Sequence, residues 1–523
     1  MAPSAPDIPG SAAAQSAPHA THRHSYGQIL KSSVLIGGSS VVNVAAGILR
    51  SKANALLLGP AGFGLMGLYA SIANLAQSIA TMGVNGSGVR QIAAAVGSGD
   101  TQRIARTAVV LRRASVALGL SGAVALLALS RQVSKITFDS YEHVFPVALL
   151  SLAVLFRVVS DGQGALIQGL RRVPDMAKIG VLSGLLGTVV SVALVYVFRE
   201  RGMAPSLVAI AGASLLFSWW YSRKVAFEVP TLSASQVGQE AGALLKLGFA
   251  FMASGMLMMG AAYVVRLIIV RQIGYEAAGL YQSAWTIGGL YVGFILQAMG
   301  TDFYPRLTAV VGDREDCNRL VNEQAHVSLL LAGPGVIATL TFAPLVVALF
   351  YSTAFGGAVE LLRWICLGAT LQVISWPMGF IIVAEGKRAI FFWSEFAYTV
   401  VHLGVAWLFV RYRGLNGAGM AFFASYVFHG FMVYGVVRWL TGFRWSAGNR
   451  RLGVGFLAMI GAVFWCFELL PFWLATTVGT LAMLLSAVYS ARALVRLVSV
   501  ERVPRPIRRL LVWMRIAPSG TAR

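Results

Sequence analysis

Five charged residues sit where an apolar chain should carry none. Arg50, Lys52, Arg157 and Arg266 fall inside long hydrophobic stretches, and Asp161 lies one helical turn beyond Arg157. A cation at the centre of a membrane span costs about 2.5 to 3.5 kcal/mol on insertion scales, so it persists only where water, a counter-ion or a ligand compensates it. Such a set can hold an anion such as phosphate, and its carboxylate can take up a proton. Arg157 stands midway along the stretch 144–170, about 20 Å from either end by helical rise, too deep to snorkel. Asp161 shares its helix face at ion-pair spacing. The two are either a neutralised structural pair, or a pair open to water in which Arg157 trades Asp161 for an anionic ligand while Asp161 serves ion coupling. Arg50, Lys52 and Arg266 lie nearer helix ends, where snorkelling competes with ligand binding. Arg50 and Lys52 are two residues apart and cannot share a face, so Lys52 is the preferred anion ligand and Arg50 the second choice.

Helices must position these residues. Of the 523 residues, 57% are hydrophobic and 12% charged, with a mean hydropathy of +0.72, whereas a soluble domain carries about 25% charged residues. The chain reads as an all-α integral membrane protein with about fourteen apolar segments, starting at Ile29 and ending near 491. Placing both termini in the cytoplasm puts about 30 Lys and Arg inside and about 8 outside, which sets the orientation. The net charge of +22 then belongs to loops and anionic lipid, and nucleic acid is excluded as a partner.

Two stretches repeat. Arg50 to Tyr69, RSKANALLLGPAGFGLMGLY, and Val265 to Tyr281, VRLIIVRQIGYEAAGLY, align at an offset of 215, which lays Gly274 on Gly59 and Gly279 on Gly64. Arg171 and Arg172 recur as Lys387 and Arg388, and the Arg199 turn recurs at Arg411. An even number of spans separates the copies, so the halves are parallel, as in repeats related by an axis along the membrane normal. The organisation expected is a disordered cytoplasmic tail (1–27), two parallel six-helix halves (28–223 and 244–440) around a central cavity, two additional helices (452–491), and a basic amphipathic tail (492–523). In that last tail Ile507, Leu510, Leu511 and Met514 share a face suited to anionic phospholipid.

The second span carries a polar stripe, Asn74, Gln77, Ser78, Thr81 and Asn85, which in lipid must face protein or water. A weaker stripe, Gln282, Thr286, Gly289, Gly293 and Gln297, lies in the eighth. These two stripes and the four cations are expected to line the cavity. Glu395, His402, His429 and Glu468 are further ionisable residues in spans. Interfacial placement accounts for the two acids, and hydrogen-bonded neutral imidazoles for the two histidines.

Cys317, Cys366 and Cys466 lack metal or disulfide spacing, and His19, His22 and His24 lack a fourth ligand. No metal or other cofactor is implied. No phosphate loop, G-x-S-x-G elbow or H-E-x-x-H is present, so the chain does not read as an enzyme.

Lys52 before the LLGPAGFGLMG turn, Arg266 before the second turn, and TDFYPRLTAV from Thr301 to Val310 resemble the O-antigen and common-antigen translocases of the multidrug/oligosaccharidyl-lipid/polysaccharide superfamily. The resemblance covers about residues 28 to 440, and the final helix pair departs from a family that usually has twelve spans. It implies a flippase that moves an undecaprenyl-pyrophosphate-linked oligosaccharide from the inner to the outer leaflet of a bacterial plasma membrane, driven by a proton or sodium gradient. Lys52, Arg157 and Arg266 would then hold pyrophosphate, and the polar stripes would meet sugars. The polysaccharide polymerase and chain-length regulator are candidate partners. A multidrug exporter would favour acidic and aromatic cavity residues over surplus cations. A membrane glycosyltransferase or polymerase would need a long catalytic outer loop, and a non-transporting scaffold should tolerate loss of the buried cations.

Overall fold

The computed structural model describes residues 19–225, 234–298 and 303–497. Among these residues there is no strand. The first helix, α1 (His19–Thr81), has two arms that meet at Gly59, where φ 65° and ψ −177° break the helical path and Pro60 opens the second arm. Glycine takes a positive φ without a Cβ penalty, and proline suits a first helical turn because its missing N–H would have no partner there. Then come α2 (Val84–Gly97), α3 (Thr101–Ala128), α4 (Ser130–Phe138), α5 (Val144–Gly169), α6 (Val173–Phe198) and α7 (Met203–Ser222). A second group follows with α8 (Ala234–Gln272), α9 (Tyr275–Ala298), α10 (Tyr304–Val310), α11 (Arg314–Thr341), α12 (Ala343–Phe350), α13 (Ala358–Ala384), α14 (Arg388–Arg413) and α15 (Asn416–Thr441). Two more, α16 (Ala447–Leu469) and α17 (Phe472–Leu497), complete the described chain.

Eleven stretches of the described residues are long and apolar enough to cross a membrane, against about fourteen expected. The difference lies partly at the joins. Gly38–Thr81 takes both arms of α1 as one run, and Val173–Ser222 joins α6 and α7 through the single turn Arg199–Gly202. Helix also starts earlier than expected, at His19, because extending an existing helix avoids the cost of nucleation. Residues 1–18 and the amphipathic segment around Ile507 lie outside the described residues.

The two helix groups pack alike. In the first, α3 meets α5, α5 meets α7, α6 meets α7, and α1 meets α6; in the second the corresponding pairs are α11 with α13, α13 with α15, α14 with α15, and α8 with α14. Both α3 and α11 start on an aspartate cap, Asp100 accepting from the Arg103 amide and Asp313 from those of Glu315 and Asp316. The backbone repeats at a finer level still. Positive φ occurs at Gly59 and Gly274, at Arg171 and Gly386, and at Arg199 and Gly414, three pairs at the same offset of 215. In the last two pairs the first group places arginine where the second uses glycine.

The groups meet through repeat-related glycines. A Cβ on Gly64 would collide with the Tyr275 carbonyl and the Gly279 nitrogen, and one on Gly279 would collide with the Pro60 carbonyl. At the other end of the same arm, Gly83 presses on the Gly248 carbonyl. Bare backbone at both ends lets the second arm of α1 lie directly on α9 and α8, the close approach that small residues permit in membrane bundles. Phe63 then seats its ring edge-on to Tyr351, centroids 5.4 Å apart, and to Phe355.

The final pair of helices is docked on α11. Gly333 lies under the Phe456 ring and Gly479 against Thr341. Asn449 donates to the Asn322 carbonyl at 2.6 Å and holds His326 through its own Oδ1 at 2.7 Å.

Candidate functional site

The polar stripe on the second arm of α1 exists because that face turns away from lipid. Asn74 and Gln77 both accept from Nη1 of Arg157 on α5, Gln77 at 3.3 Å. Gln77 then donates through Nε2 to Oδ2 of Asp161 at 2.6 Å. The expected direct ion pair between Arg157 and Asp161 is thus replaced by a relay in which one amide accepts from the cation and donates to the carboxylate. Helical spacing put both charges on one face, but a third side chain from a neighbouring helix occupies the space between them. Asn85, expected on the same span as Asn74, belongs to α2, beyond the Met82–Gly83 turn, yet its side chain still reaches Asp161.

Arg157 uses a single nitrogen for these contacts. Among the described residues, its Nε and Nη2 donate to none. Arg50, on the first arm of α1, comes near enough for the two like charges to interact. It forms no hydrogen bond or ion pair with the described residues. A guanidinium with uncommitted N–H donors can give two parallel bonds to one phosphate. Lys52 is elsewhere: its Nζ donates to the Leu349 carbonyl at the end of α12, 2.7 Å away at an exposed position. Of the two, Arg50, the second choice, is the one within electrostatic range of Arg157, and Lys52 is directed to the end of α12.

Arg266 on α8 is gripped by Gln282 on α9. Its Nε and Nη2 both donate to Gln282 Oε1, at 2.9 and 2.7 Å, while Nη1 reaches the Ala262 carbonyl. Thr286 supports the grip by accepting from Gln282 Nε2 at 3.1 Å. A Cβ on Gly67 would sit 3.5 Å from Gln282 Oε1, so this second cluster lies against the same arm of α1 that holds Asn74. Gly67 and Asn74 are two turns apart on one helix face, about 10 Å along the axis. Of the remaining stripe residues, Ser78 faces Gly255 of α8, and Thr81 turns its hydroxyl to the Ser78 carbonyl. The Gln297 side chain lies outside the described residues.

The sequence alone did not single out two polar groups. Asn54, one turn from Arg50 on the same helix, is 2% exposed with its Oδ1 unpaired, and its spacing from Arg50 was the available signal. Arg363, buried near the start of α13, lies 3.8 Å over the Phe467 ring and fastens α16 to the second group.

A family model described as "Polysaccharide biosynthesis protein" matches residues 55–360, a run that takes in Asn74, Gln77, Arg157, Asp161, Arg266 and Gln282 and leaves out Arg50, Lys52, Asn54 and Arg363. The chain belongs to that family. The lipid III flippases of Escherichia coli (strain K12) and Shigella flexneri are each 23% identical to it over 421 residues, 78% of this chain and 98% of theirs. Among solved structures, a MATE family multidrug resistance transporter of the MOP superfamily in its inward-facing conformation superposes with a TM-score of 0.64 at 18% identity, covering 77% of this chain and 96% of that one. A MOP superfamily transporter from Pyrococcus furiosus superposes with a TM-score of 0.56 at 18% identity, covering 78% and 96%. The fold of this polysaccharide biosynthesis family member is the transporter fold of that superfamily, a multi-pass helical membrane architecture.

Proposed function

We propose that the protein flips an undecaprenyl-pyrophosphate-linked oligosaccharide, an O-antigen or exopolysaccharide repeat unit, from the cytoplasmic to the periplasmic leaflet of the bacterial inner membrane, with both termini cytoplasmic. The observation that carries this reading is the pair of guanidinium clusters along one face of the second arm of α1, one drawn from each helix group. A pyrophosphate cannot enter hydrocarbon unaided. Arg50 and Arg157 offer it N–H donors, the fixed cation of Arg266 lies about 10 Å further along, and the amides between offer partners to sugar hydroxyls. The lipid tail stays in the bilayer. Rocking of the two helix groups about this site would open it first to one side and then to the other. Family membership and the lipid III flippase relatives favour a lipid-linked glycan, and surplus cations disfavour the cationic drugs that a multidrug exporter of this fold would carry. An ion gradient would supply the drive, with Asp161, one amide away from Arg157, positioned to register whether the anion is bound.

The test is flipping of a fluorescent undecaprenyl-pyrophosphate oligosaccharide in proteoliposomes under an imposed pH gradient, read by protection from an external reagent. Arg157→Ala, inserted and folded, should lose about 100-fold in rate, the equivalent of about 3 kcal/mol for removing a charge-assisted phosphate contact. Full activity in that variant would make Arg157 structural, and inactivity of the parent toward several such glycolipids would overturn the flippase reading.

A further inference from the structure

The second helix group contains an acid and two histidines that the anion site does not use. Glu395 of α14 and His429 of α15 face each other with Oε1 and Nε2 4.0 Å apart, the histidine side chain 8% exposed and the glutamate 37%. Nδ1 of His429 lies 3.2 Å from the Ser375 hydroxyl, which in turn reaches the Gln372 carbonyl at 3.3 Å. With that hydroxyl donating to the carbonyl, His429 carries its proton on Nδ1 and points a lone pair at Glu395. Two acceptors facing each other across this gap repel unless a proton lies on one of them.

The neighbouring His402 shows the contrast. Its Nδ1 likewise faces a serine, Ser425, which donates to the Ala421 carbonyl, but no carboxylate faces its other nitrogen among the described residues. The titratable groups around the Glu395–His429 pair are Tyr398 and His402 on α14, Tyr426 on α15 and Tyr281 on α9, with no Lys or Arg in contact among the described residues. With nothing cationic nearby, the unprotonated pair carries an uncompensated negative charge in an apolar group of helices. One added proton makes it neutral overall, whichever partner holds it.

We propose that Glu395 and His429 form a single-proton binding site in the second helix group, reached through the half-exposed carboxylate, and that this site couples the proton gradient to transport. A chain of ring contacts leads from it to the Arg266 cluster. The Tyr398 ring contacts both His429 and Tyr426, and Tyr426 packs against Phe422 with centroids 4.9 Å apart. Tyr281 precedes Gln282 on α9, the residue that grips Arg266. Trp285, stacked on Tyr281 with centroids 5.9 Å apart, meets the Phe422 ring of α15 at 5.0 Å. A proton that changes the charge between α14 and α15 thus acts on an aromatic layer against which α9 rests. The nitrogen lone pair in the site favours a proton over sodium, which takes oxygen ligands. The coupling role rests on the transport reading above; proton binding does not.

The first experiment needs no glycolipid. In 15N-histidine-labelled protein in nanodiscs, with His429→Gln supplying the assignment, the His429 resonances are followed from pH 5 to pH 9. We expect the Nε2 resonance of His429 to shift as the site takes up its proton, fully if the histidine holds it and by the smaller step of a new hydrogen bond if Glu395 does, and Glu395→Gln to move that shift about one pH unit lower or abolish it. In proteoliposomes that flip a fluorescent glycolipid, both variants should keep downhill exchange and lose its acceleration by a pH gradient. Absence of His429 titration, a response to sodium in place of protons, or gradient-driven flipping that survives in both variants would overturn the proposal. Titration as expected in a parent protein that moves no glycolipid would uphold proton binding and count against the transport reading alone.

Discussion

Arg157 and Arg266 are single half-buried guanidiniums in the two halves of a repeated bundle, yet they are held in opposite ways. Arg157 spends one nitrogen on two amide oxygens, lies within electrostatic range of Arg50, and has a carboxylate one amide away. Arg266 commits Nε, Nη2 and Nη1 to Gln282 and a backbone carbonyl. On the proposed function the first would gain and lose a partner while the second stays in place. One half would then report on the ligand while the other provides a fixed electrostatic reference. The Glu395–His429 pair lies in the second group, on helices other than the one that carries Arg157.

Lysine exchange would break the comparison most sharply. Arg157→Lys keeps a charge for phosphate and should retain a measurable flipping rate, about tenfold below the parent. Arg266→Lys cannot reproduce the two parallel bonds to Gln282 Oε1, so it should lose nearly as much as Arg266→Ala. Equal losses in the two lysine variants would mean that both sites use their arginine in the same way.

A smaller effect is expected where the halves touch. Gly279→Ala drives a methyl group into the Pro60 carbonyl. It should lower stability by about 1 to 3 kcal/mol, the usual cost of overpacking, read as a drop in Tm in nanodiscs. Gly289→Ala, on the same helix with open space around its Cα, is the control and should leave Tm unchanged.

The smallest effect sharpens the backbone comparison. Arg171 holds φ 55° where its repeat mate is Gly386. Left-handed backbone costs a residue with a Cβ about 1 to 2 kcal/mol, so Arg171→Gly should stabilise the first group by about 1 kcal/mol once the added chain entropy of glycine is deducted. Gly386→Arg should destabilise by a similar amount. A neutral result for both would mean that the turn relaxes around its occupant.

Much of this protein was determined by sequence alone. Apolar length and charge depletion dictate membrane helices, because hydrocarbon leaves the backbone no other partner than itself. The offset of 215 foretold that Gly64 and Gly279 are equivalent, and the polar stripe marked the face of α1 on which Asn74 and Gln77 meet Arg157. Helical spacing also put Asp161 on the face of Arg157. Only the tertiary structure decided that Gln77 stands between them, that Lys52 turns to the Leu349 carbonyl, and that His429 and Glu395 face each other. Those facts depend on which side chain of a neighbouring helix fills a given space. Periodicity specifies the face a residue occupies on its own helix, whereas the partner across that face is set by packing between helices distant in the chain.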